Sequence, residues 1–219
     1  MGKKGMYIVF EGPDGSGKSV QAKKIVGRLN ARGMKTVHFR EPGGELGREN
    51  TIGEKIRGLL QDKDNKINPM CELALFTANR AQLIEEIKAY TDQGIHVLCE
   101  RNFLSSVVYQ GYGRGINTDF ILQVTQMFVE KLPDLVVLYK VSEQEGGERV
   151  NRRGEKDRIE QESIAFHKRI FEGYGQLKAV CDKLEIPCVE IDTDHKDWDT
   201  YEQRVMERIT AMGHAEGRN

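Results

Sequence analysis

A glycine-rich segment near the start of the chain restricts its possible folds more than any other feature. An apolar run, Tyr7-Ile8-Val9-Phe10, precedes this segment, and an amphipathic stretch at about 18–32 follows it. A strand, a tight turn and a helix in this order form the context in which such a segment binds phosphate. The segment fits the pattern G-x-x-x-x-G-K-[ST] and reads Gly12-Pro13-Asp14-Gly15-Ser16-Gly17-Lys18-Ser19. We call residues 12–19 the P-loop, and they predict a nucleotide-phosphate site.

The residue types of the P-loop suit this chemistry. Glycines let the backbone turn tightly so that several N–H groups face one anion, and the start of the following helix adds the positive end of its dipole. Lys18 can reach the β and γ phosphates, and Ser19 offers a hydroxyl to Mg²⁺. The sequence has no guanine-reading Asn-Lys-x-Asp motif, which disfavours a GTPase. ATPases and small-molecule kinases both remain open, since they share the P-loop.

Alternation of apolar runs and amphipathic stretches predicts the fold class. Most of the runs are unbroken, which is typical of strands covered on both faces. We therefore expect one α/β domain over 1–219, a P-loop NTPase-like three-layer sandwich whose five-stranded parallel sheet has helices on both faces. The strands are expected at 7–10, 36–39, 96–99, 135–139 and 188–191, the helices at about 18–32, 69–93, 119–131, 163–185 and 198–212, and a frayed tail at 213–219.

The charge balance excludes some classes of function. Lys and Arg together number 33 and Asp and Glu 34, so the net charge is −1. A general nucleic-acid or membrane-surface binder would need a strong basic excess. We find no 18-residue apolar run and no signal-peptide-like start, which favours a cytoplasmic protein. The four cysteines lack metal-like spacing and are expected to be reduced, structural thiols: Cys71, Cys99, Cys181 and Cys188.

Charged residues follow two of the predicted strands directly. Ligands of doubly wound sheets bind beyond the carboxyl ends of the strands. Arg40 follows the second apolar run and could grip a phosphate with its guanidinium. Glu100 and Arg101 follow the third run. A carboxylate there would lie beside the P-loop and could hold Mg²⁺ through water.

A basic segment from Arg149 to Arg158 has two interpretations. Charged segments are usually solvated faces. Arginines on a lid, however, can stabilise the charge that spreads over phosphate oxygens during transfer. We place such a lid at about 149–160.

Helical spacing also puts Phe76 and Arg80 on one face. The alternative is that Phe76 belongs to an apolar core stripe with Leu73, Ala78, Leu83, Ile84 and Ile87.

These motifs together resemble the bacterial-type thymidylate kinase (dTMP kinase) family, from Tyr7 to about Thr210. They occur in the family's order and at its spacing. They are Phe10-Glu11-Gly12-x-Asp14-Gly15-x-Gly17-Lys18-Ser19, Arg40-Glu41-Pro42-Gly43-Gly44, Phe76-x-x-x-Arg80, Glu100-Arg101, Ser105, Tyr109-Gln110-Gly111-Tyr112-Gly113-Arg114-Gly115, and Arg153-Gly154-Glu155-x-Asp157-Arg158-Ile159-Glu160-Gln161-Glu162.

The resemblance implies transfer of the γ-phosphate of ATP to dTMP, with Mg²⁺, in pyrimidine deoxynucleotide synthesis, by a homodimer. For the thymine base, it implies that Phe76 stacks on the ring, that Arg80 hydrogen-bonds the exocyclic oxygen, and that Ser106 and Gln110 lie near the base edge. Tyr109 would crowd the sugar and disfavour a 2′-hydroxyl.

For the phosphates, the resemblance implies that Arg40 and Arg101 hold dTMP. Asp14 would meet the sugar 3′-hydroxyl and help Ser19 and Glu100 to place Mg²⁺. The P-loop would hold the phosphates of ATP.

One position sorts the chain within the family. Some members have a catalytic arginine directly after the P-loop aspartate, where this chain has Gly15. The resemblance therefore implies that the lid arginines Arg153 and Arg158 carry the charge-stabilising role, with Arg149 on the ATP side.

The chain also departs from the family. It has Glu100 where most members have Asp, Asn102 where an aromatic residue or His is usual, and Asn151 where many lids have Arg. These departures leave dUMP or a 5-substituted dUMP open as acceptors. A deoxynucleoside kinase, another nucleoside monophosphate kinase and a non-catalytic ATP-binding regulator are the remaining alternatives.

Overall fold

The computed structural model describes residues 4–154, 157–195 and 197–215. Within them the chain forms a parallel sheet of five strands in the order β2-β3-β1-β4-β5, which confirms the predicted fold class. Each strand extends one residue beyond its apolar run, and that residue is always charged. The strands are β1 (Tyr7–Glu11), β2 (Thr36–Arg40), β3 (His96–Glu100), β4 (Leu135–Lys140) and β5 (Cys188–Asp192).

All five predicted helices are present, with ends within three residues of the prediction. Helix α8 continues three residues into the segment expected to fray, whose residues 216–219 lie outside the described part of the chain. Helices α2, α4 and α6 and the π-helix were not predicted. The helices are α1 (Lys18–Ala31), α2 (Ile52–Gln61), α3 (Pro69–Asp92), α4 (Phe103–Ser106), the π-helix (Val107–Gly113), α5 (Thr118–Phe128), α6 (Glu143–Arg153), α7 (Ile164–Lys183) and α8 (Trp198–Ala215).

The core lies on both faces of the sheet. Along β1, Tyr7 and Val9 pack in one cluster with residues of α3, the π-helix and α7. Ile8 and Phe10 point to the opposite face and pack in a second cluster with residues of α1 and α8. Successive strand residues alternate between faces, so covering both faces requires the unbroken apolar runs of the sequence.

Helix α3 divides its predicted apolar stripe between the core and a cavity. Leu73, Leu83, Ile84 and Ile87 are buried in the core. Phe76 is only half-buried, and Ala78 is exposed, so the inclusion of Ala78 in the stripe was wrong.

Among the helices that the structure describes, none has both the length and the apolarity needed to cross a bilayer.

Strand register gathers the charged strand ends. Phe10 of the central strand β1 lies beside Glu100 of β3, and Arg40 of β2 lies on the other side of Glu100. The P-loop leaves the same end of β1. Arg40, Glu100 and the P-loop thus meet at the carboxyl ends of the strands, where ligands of such folds bind.

Candidate active site

A cavity of about 740 Å³ opens at the carboxyl ends of β1, β2 and β3. This volume lies within the range of small-molecule sites, roughly 300–1,000 Å³. Most of the predicted site residues line it. They are Asp14, Lys18, Ser19, Arg40, Phe76, Glu100, Arg101, Ser106, Tyr109, Gln110 and Arg153.

Close backbone contacts fix the shape of the P-loop. Gly17 caps α1 with φ +84°, and Gly15 has φ +81°, a left-handed conformation that favours glycine. A Cβ atom at Gly15 would lie 2.4 Å from the carbonyl oxygen of Gly146 in α6. An arginine at position 15 therefore does not fit this chain.

Asp14 lies at the centre of the charged groups of the P-loop. Its Oδ1 accepts hydrogen bonds from Arg101 Nη2 (2.6 Å) and Lys18 Nζ (3.4 Å), and its Oδ2 accepts one from the Tyr109 hydroxyl (3.1 Å). Burial by itself raises the pKa of Asp14, but Arg101, Lys18 and the Tyr109 hydrogen bond outweigh it and hold the pKa below its usual range. The carboxylate therefore stays ionised.

Arg101 is held in a left-handed backbone conformation, with φ +68°. Such conformations are sparsely populated by non-glycine residues and concentrate at functional sites. Its Nη1 donates to the hydroxyls of Tyr174 (2.6 Å) and Ser105 (3.2 Å), and its guanidinium lies 5.0 Å from the centroid of the Tyr109 ring. These contacts hold a permanent positive charge at the cavity wall.

Glu11, at the end of β1, supports this arrangement, and the sequence analysis gave it no role. It is fully buried. Its Oε1 accepts from the backbone N–H groups of Asn102 (2.9 Å) and Ser105 (3.2 Å). Burial raises the pKa of Glu11. The carboxyl group thus joins the base of the P-loop to the start of α4, directly after Arg101.

Phe76 lines the cavity, and Arg80, which does not, contacts two residues that do, Glu41 and Ser106. Arg80 is buried and makes an ion pair with Glu41 through Nε and Nη2, and its Nη2 also donates to Ser106 Oγ (2.9 Å). Among the described residues, its Nη1 has no hydrogen-bond partner. Phe76 lies one turn earlier on α3 and lines the cavity. The structure therefore places Phe76 at the cavity wall, half-buried, rather than in the core stripe.

Positive charge accumulates at the mouth of the cavity beside Arg40. Arg40 donates from Nη2 to Glu54 (3.0 Å), while its Nε is buried without a partner in the described chain. Arg57 of α2 lines the same wall and donates to the Pro42 carbonyl (3.0 Å). Burial and the charge of Arg40 lower the pKa of Arg57. Crowded cations with unused donors fit an anion such as phosphate.

Ser19 and Glu100 offer oxygen atoms for a magnesium ion. The Ser19 hydroxyl hydrogen-bonds the Glu100 carboxylate, and His38 Nε2 lies 3.0 Å from its other oxygen. Burial by itself raises the pKa of Glu100. The hydrogen bonds from His38 and Ser19 outweigh burial and hold the pKa below its usual value. Within the described residues, no group of three or more His, Cys, Asp or Glu could hold a metal. The donors present fit Mg²⁺, which usually binds one or two carboxylates together with phosphates and water.

The predicted lid arginines lie in three different environments. Arg149 donates to the carbonyls of Gly15 (3.0 Å) and Thr193 (2.9 Å), beside the P-loop. Arg153 pairs with Glu160 and lines the cavity. Arg158 instead pairs with Glu72 of α3. Lid positions 155 and 156 lie outside the described residues.

Comparisons with known proteins decide the family. A family model described as thymidylate kinase matches residues 10–193, far more than half of the chain. This chain belongs to the thymidylate kinase family. A thymidylate kinase of Caldicellulosiruptor saccharolyticus is 34% identical over 202 residues, 91% of this chain and 94% of the relative. One from Thermoanaerobacter sp. is 40% identical over 176 residues, 80% of this chain and 84% of the relative.

A solved structure extends the similarity to three dimensions. The crystal structure of thymidylate kinase from Ehrlichia chaffeensis has a TM-score of 0.73 and 27% identity to this chain, and the match covers 94% of this chain and 99% of that one. Membership of the thymidylate kinase family confirms the predicted enzyme class, a nucleoside monophosphate kinase.

Four residues in or beside the candidate site received no role in the sequence analysis. Glu41 was quoted only within a motif, although it is the buried partner of Arg80. Arg57 lies on a helix that was not predicted. Glu11 and Glu72 are buried carboxylates whose partners come from distant segments. A glutamate directly after an apolar strand run or within an apolar helix face is a signal for the last two, since buried charge is costly without partners.

Proposed function

We propose that this chain transfers the γ-phosphate of ATP to dTMP, giving ADP and dTDP, with Mg²⁺. One observation carries the proposal: a single cavity is lined by the P-loop cation Lys18, by the guanidinium groups of Arg40 and Arg101, and by the aromatic ring of Phe76. A nucleoside monophosphate has this order of parts, a base at one end and a phosphate at the other.

Phe76 and Arg80 support recognition of a pyrimidine base. Phe76 offers a ring face for stacking, worth about 1–3 kcal/mol per base at other nucleic-acid sites. Arg80 is buried next to the lining residue Ser106 and keeps its Nη1 without a partner among the described residues, and we assign this donor to an exocyclic oxygen of the base. Ser106 and Gln110 line the same cavity, and Tyr109 crowds the place of the sugar.

The mouth of the cavity supports binding of the acceptor phosphate. Arg40, Arg57 and Arg101 direct positive charge to this region. The acceptor is already an anion at neutral pH, so the reaction needs no strong general base. Fixed charges that hold two phosphates in line supply most of the rate in such a site.

The donor side combines the P-loop with the lid. Lys18 and the P-loop N–H groups bind the phosphates of ATP, and Arg149 lies against the same loop. Arg153 neutralises charge on the transferring group; the sequence analysis gave the same role to Arg158, which pairs with Glu72. Ser19, Glu100 and Asp14 would hold Mg²⁺, which would supply further positive charge at the phosphate oxygens.

A homodimer in the cytoplasm belongs to the same proposal. Exposed apolar side chains at the end of α5 and in the segment after it support an interface: Met127 is 76% exposed, Phe128 44% and Leu132 43%. Patches of this kind mark contact surfaces. Light scattering of the purified chain tests the dimer directly, and a monomer at micromolar concentration would contradict it.

An acceptor panel tests the function. ADP release is measured with ATP, Mg²⁺ and, in turn, dTMP, dUMP, 5-hydroxymethyl-dUMP, dCMP, AMP or thymidine. The proposal requires the highest kcat/KM for dTMP. A higher value for a modified dUMP would keep the mechanism and change the acceptor. A chain that binds ATP and phosphorylates none of these acceptors would be a regulator.

A further inference from the structure

Glu72 of α3 is a buried carboxylate on which several segments converge. Its side chain is 1% exposed. It accepts hydrogen bonds from Gln110 Nε2 (2.9 Å), Arg114 Nη2 (3.0 Å) and Arg158 Nη2 (2.6 Å). Burial by itself raises the pKa of Glu72. The hydrogen bonds from Arg114, Gln110 and Arg158 outweigh burial and hold the pKa below its usual value. An ionised carboxylate here balances two guanidinium groups in a water-poor region.

The partners of Glu72 attach one side of the lid. We call residues 157–162 the anchor segment. Arg158 also donates from Nε to the Leu60 carbonyl (2.8 Å), at the end of α2. Arg114 reaches from Glu72 to Glu162 through Nη1 (2.5 Å). Glu72 therefore holds the anchor segment at both ends, directly through Arg158 and indirectly through Arg114.

The anchor segment in turn forms part of the cavity wall. Asp157, Ile159 and Glu160 line the cavity. Glu160 accepts from the backbone N–H of Asp157 (3.1 Å) and pairs with the guanidinium of Arg153. A displacement of the anchor segment would therefore move Arg153, the lid arginine that lines the cavity.

We propose that Glu72 is a positioning residue that couples the base-binding wall to the lid. One carboxylate orients Gln110 on the acceptor side and, through Arg158, the anchor segment and Arg153 on the lid side. Arg158 then acts mainly as the latch of the lid rather than on the transferring phosphate. This inference rests on the proposed function, because its kinetic readout is the phosphorylation of dTMP.

The first test compares E72Q with E202Q in the full chain. Glu202 is also a fully buried glutamate with an arginine partner, Arg28, but it packs beside the core cluster of α1 and α8. Misplacement of catalytic groups by about 1 Å costs about 10²-fold, so we expect E72Q to lower kcat/KM for dTMP by about 10- to 100-fold. Hydrogen exchange in the anchor segment should become faster in E72Q and not in E202Q.

A double-mutant cycle with R158M separates a latch from a direct role in catalysis. If Arg158 acts as a latch, the double variant E72Q/R158M should have the same kcat as whichever single variant has the lower kcat, because both changes break the same connection. Losses that multiply would show that Arg158 acts on the phosphate by itself and would overturn the proposal. So would an E72Q protein with the kinetics and exchange of E202Q. If the wild-type chain phosphorylates no acceptor, the proposed function fails, while the exchange comparison still tests the latch.

Discussion

The guanidinium of Arg101 donates to the carboxylate of Asp14 across 2.6 Å and joins the end of β3 to the P-loop. Each residue partly neutralises the other. The pair keeps two opposite charges at the point where two phosphates must meet. Because Arg101 also donates to Tyr174 and Ser105, its guanidinium is already oriented before any ligand binds.

Because the pKa of Asp14 is lowered in the folded chain, we expect the wild-type protein to lose stability in acid. The D14N variant should lose less. An unfolded aspartate has a pKa of about 3.9, and the folded value is lower. The stabilising contribution of the carboxylate is therefore complete above the unfolded pKa and is lost as the pH falls towards the folded pKa. Urea unfolding between about pH 7 and pH 3 should show a smaller loss of unfolding free energy for D14N than for the wild type. Equal losses would contradict the assigned pKa direction.

Gly15 should not tolerate even a methyl group. Its φ is +81°, and a Cβ atom would meet the Gly146 carbonyl oxygen at 2.4 Å. We expect G15A to lower the free energy of unfolding by about 1–3 kcal/mol, the cost of such backbone strain. G27A is the matched control, because Gly27 lies inside α1 with open space around it and should gain about 0.5–1 kcal/mol. Equal effects of the two changes would be inconsistent with the P-loop packing described above.

Local patterns in the sequence were sufficient to predict the sheet, because unbroken apolar runs mark strands covered on both faces. They missed the last residue of each strand, which is charged in every case. Helix α6 was missed because Val150 is its only large apolar residue, whereas α2 was missed although four of its ten residues are apolar. Both begin with a capping pattern, Thr51-x-x-Glu54 and Ser142-x-x-Glu145, which was a readable signal.

The candidate site also has a part that the sequence could predict and a part that it could not. The P-loop and the residues at the strand ends were recognisable because their spacing is local. Glu72 binds Arg114 and Arg158, which are 42 and 86 residues away, and only the fold brings them together. The position of Arg158 on Glu72 rather than at the cavity wall was likewise beyond a reading of the sequence.

Phe76 should contribute to acceptor affinity more than to folding. It is half-buried and lines the cavity. A lost stacking contact of about 1–3 kcal/mol corresponds to a KM for dTMP about 5- to 150-fold higher in F76A, with a smaller change in kcat. F120A is the control, because Phe120 is 40% exposed on α5, away from the cavity. An unchanged KM in F76A would show that the base does not stack there.

Arg153 should affect the chemical step rather than binding. Loss of one charge-stabilising donor typically lowers kcat by about 10²- to 10³-fold, so we expect R153A to reduce kcat by such a factor with little change in KM for dTMP. The neighbouring Arg152 is exposed and contacts only glutamates of its own helix among the described residues, so R152A should retain the wild-type kcat. Similar kcat values for R153A and R152A would remove Arg153 from the mechanism.

The most direct test of the central claim is to follow the conversion of dTMP to dTDP by chromatography, with ATP and Mg²⁺, for the wild-type chain and for K18M. Lys18 is the P-loop cation at the base of the cavity. The account predicts one dTDP formed for each ADP released by the wild type and a loss of both products in K18M. ADP release without dTDP, or equal product formation by K18M, would contradict it.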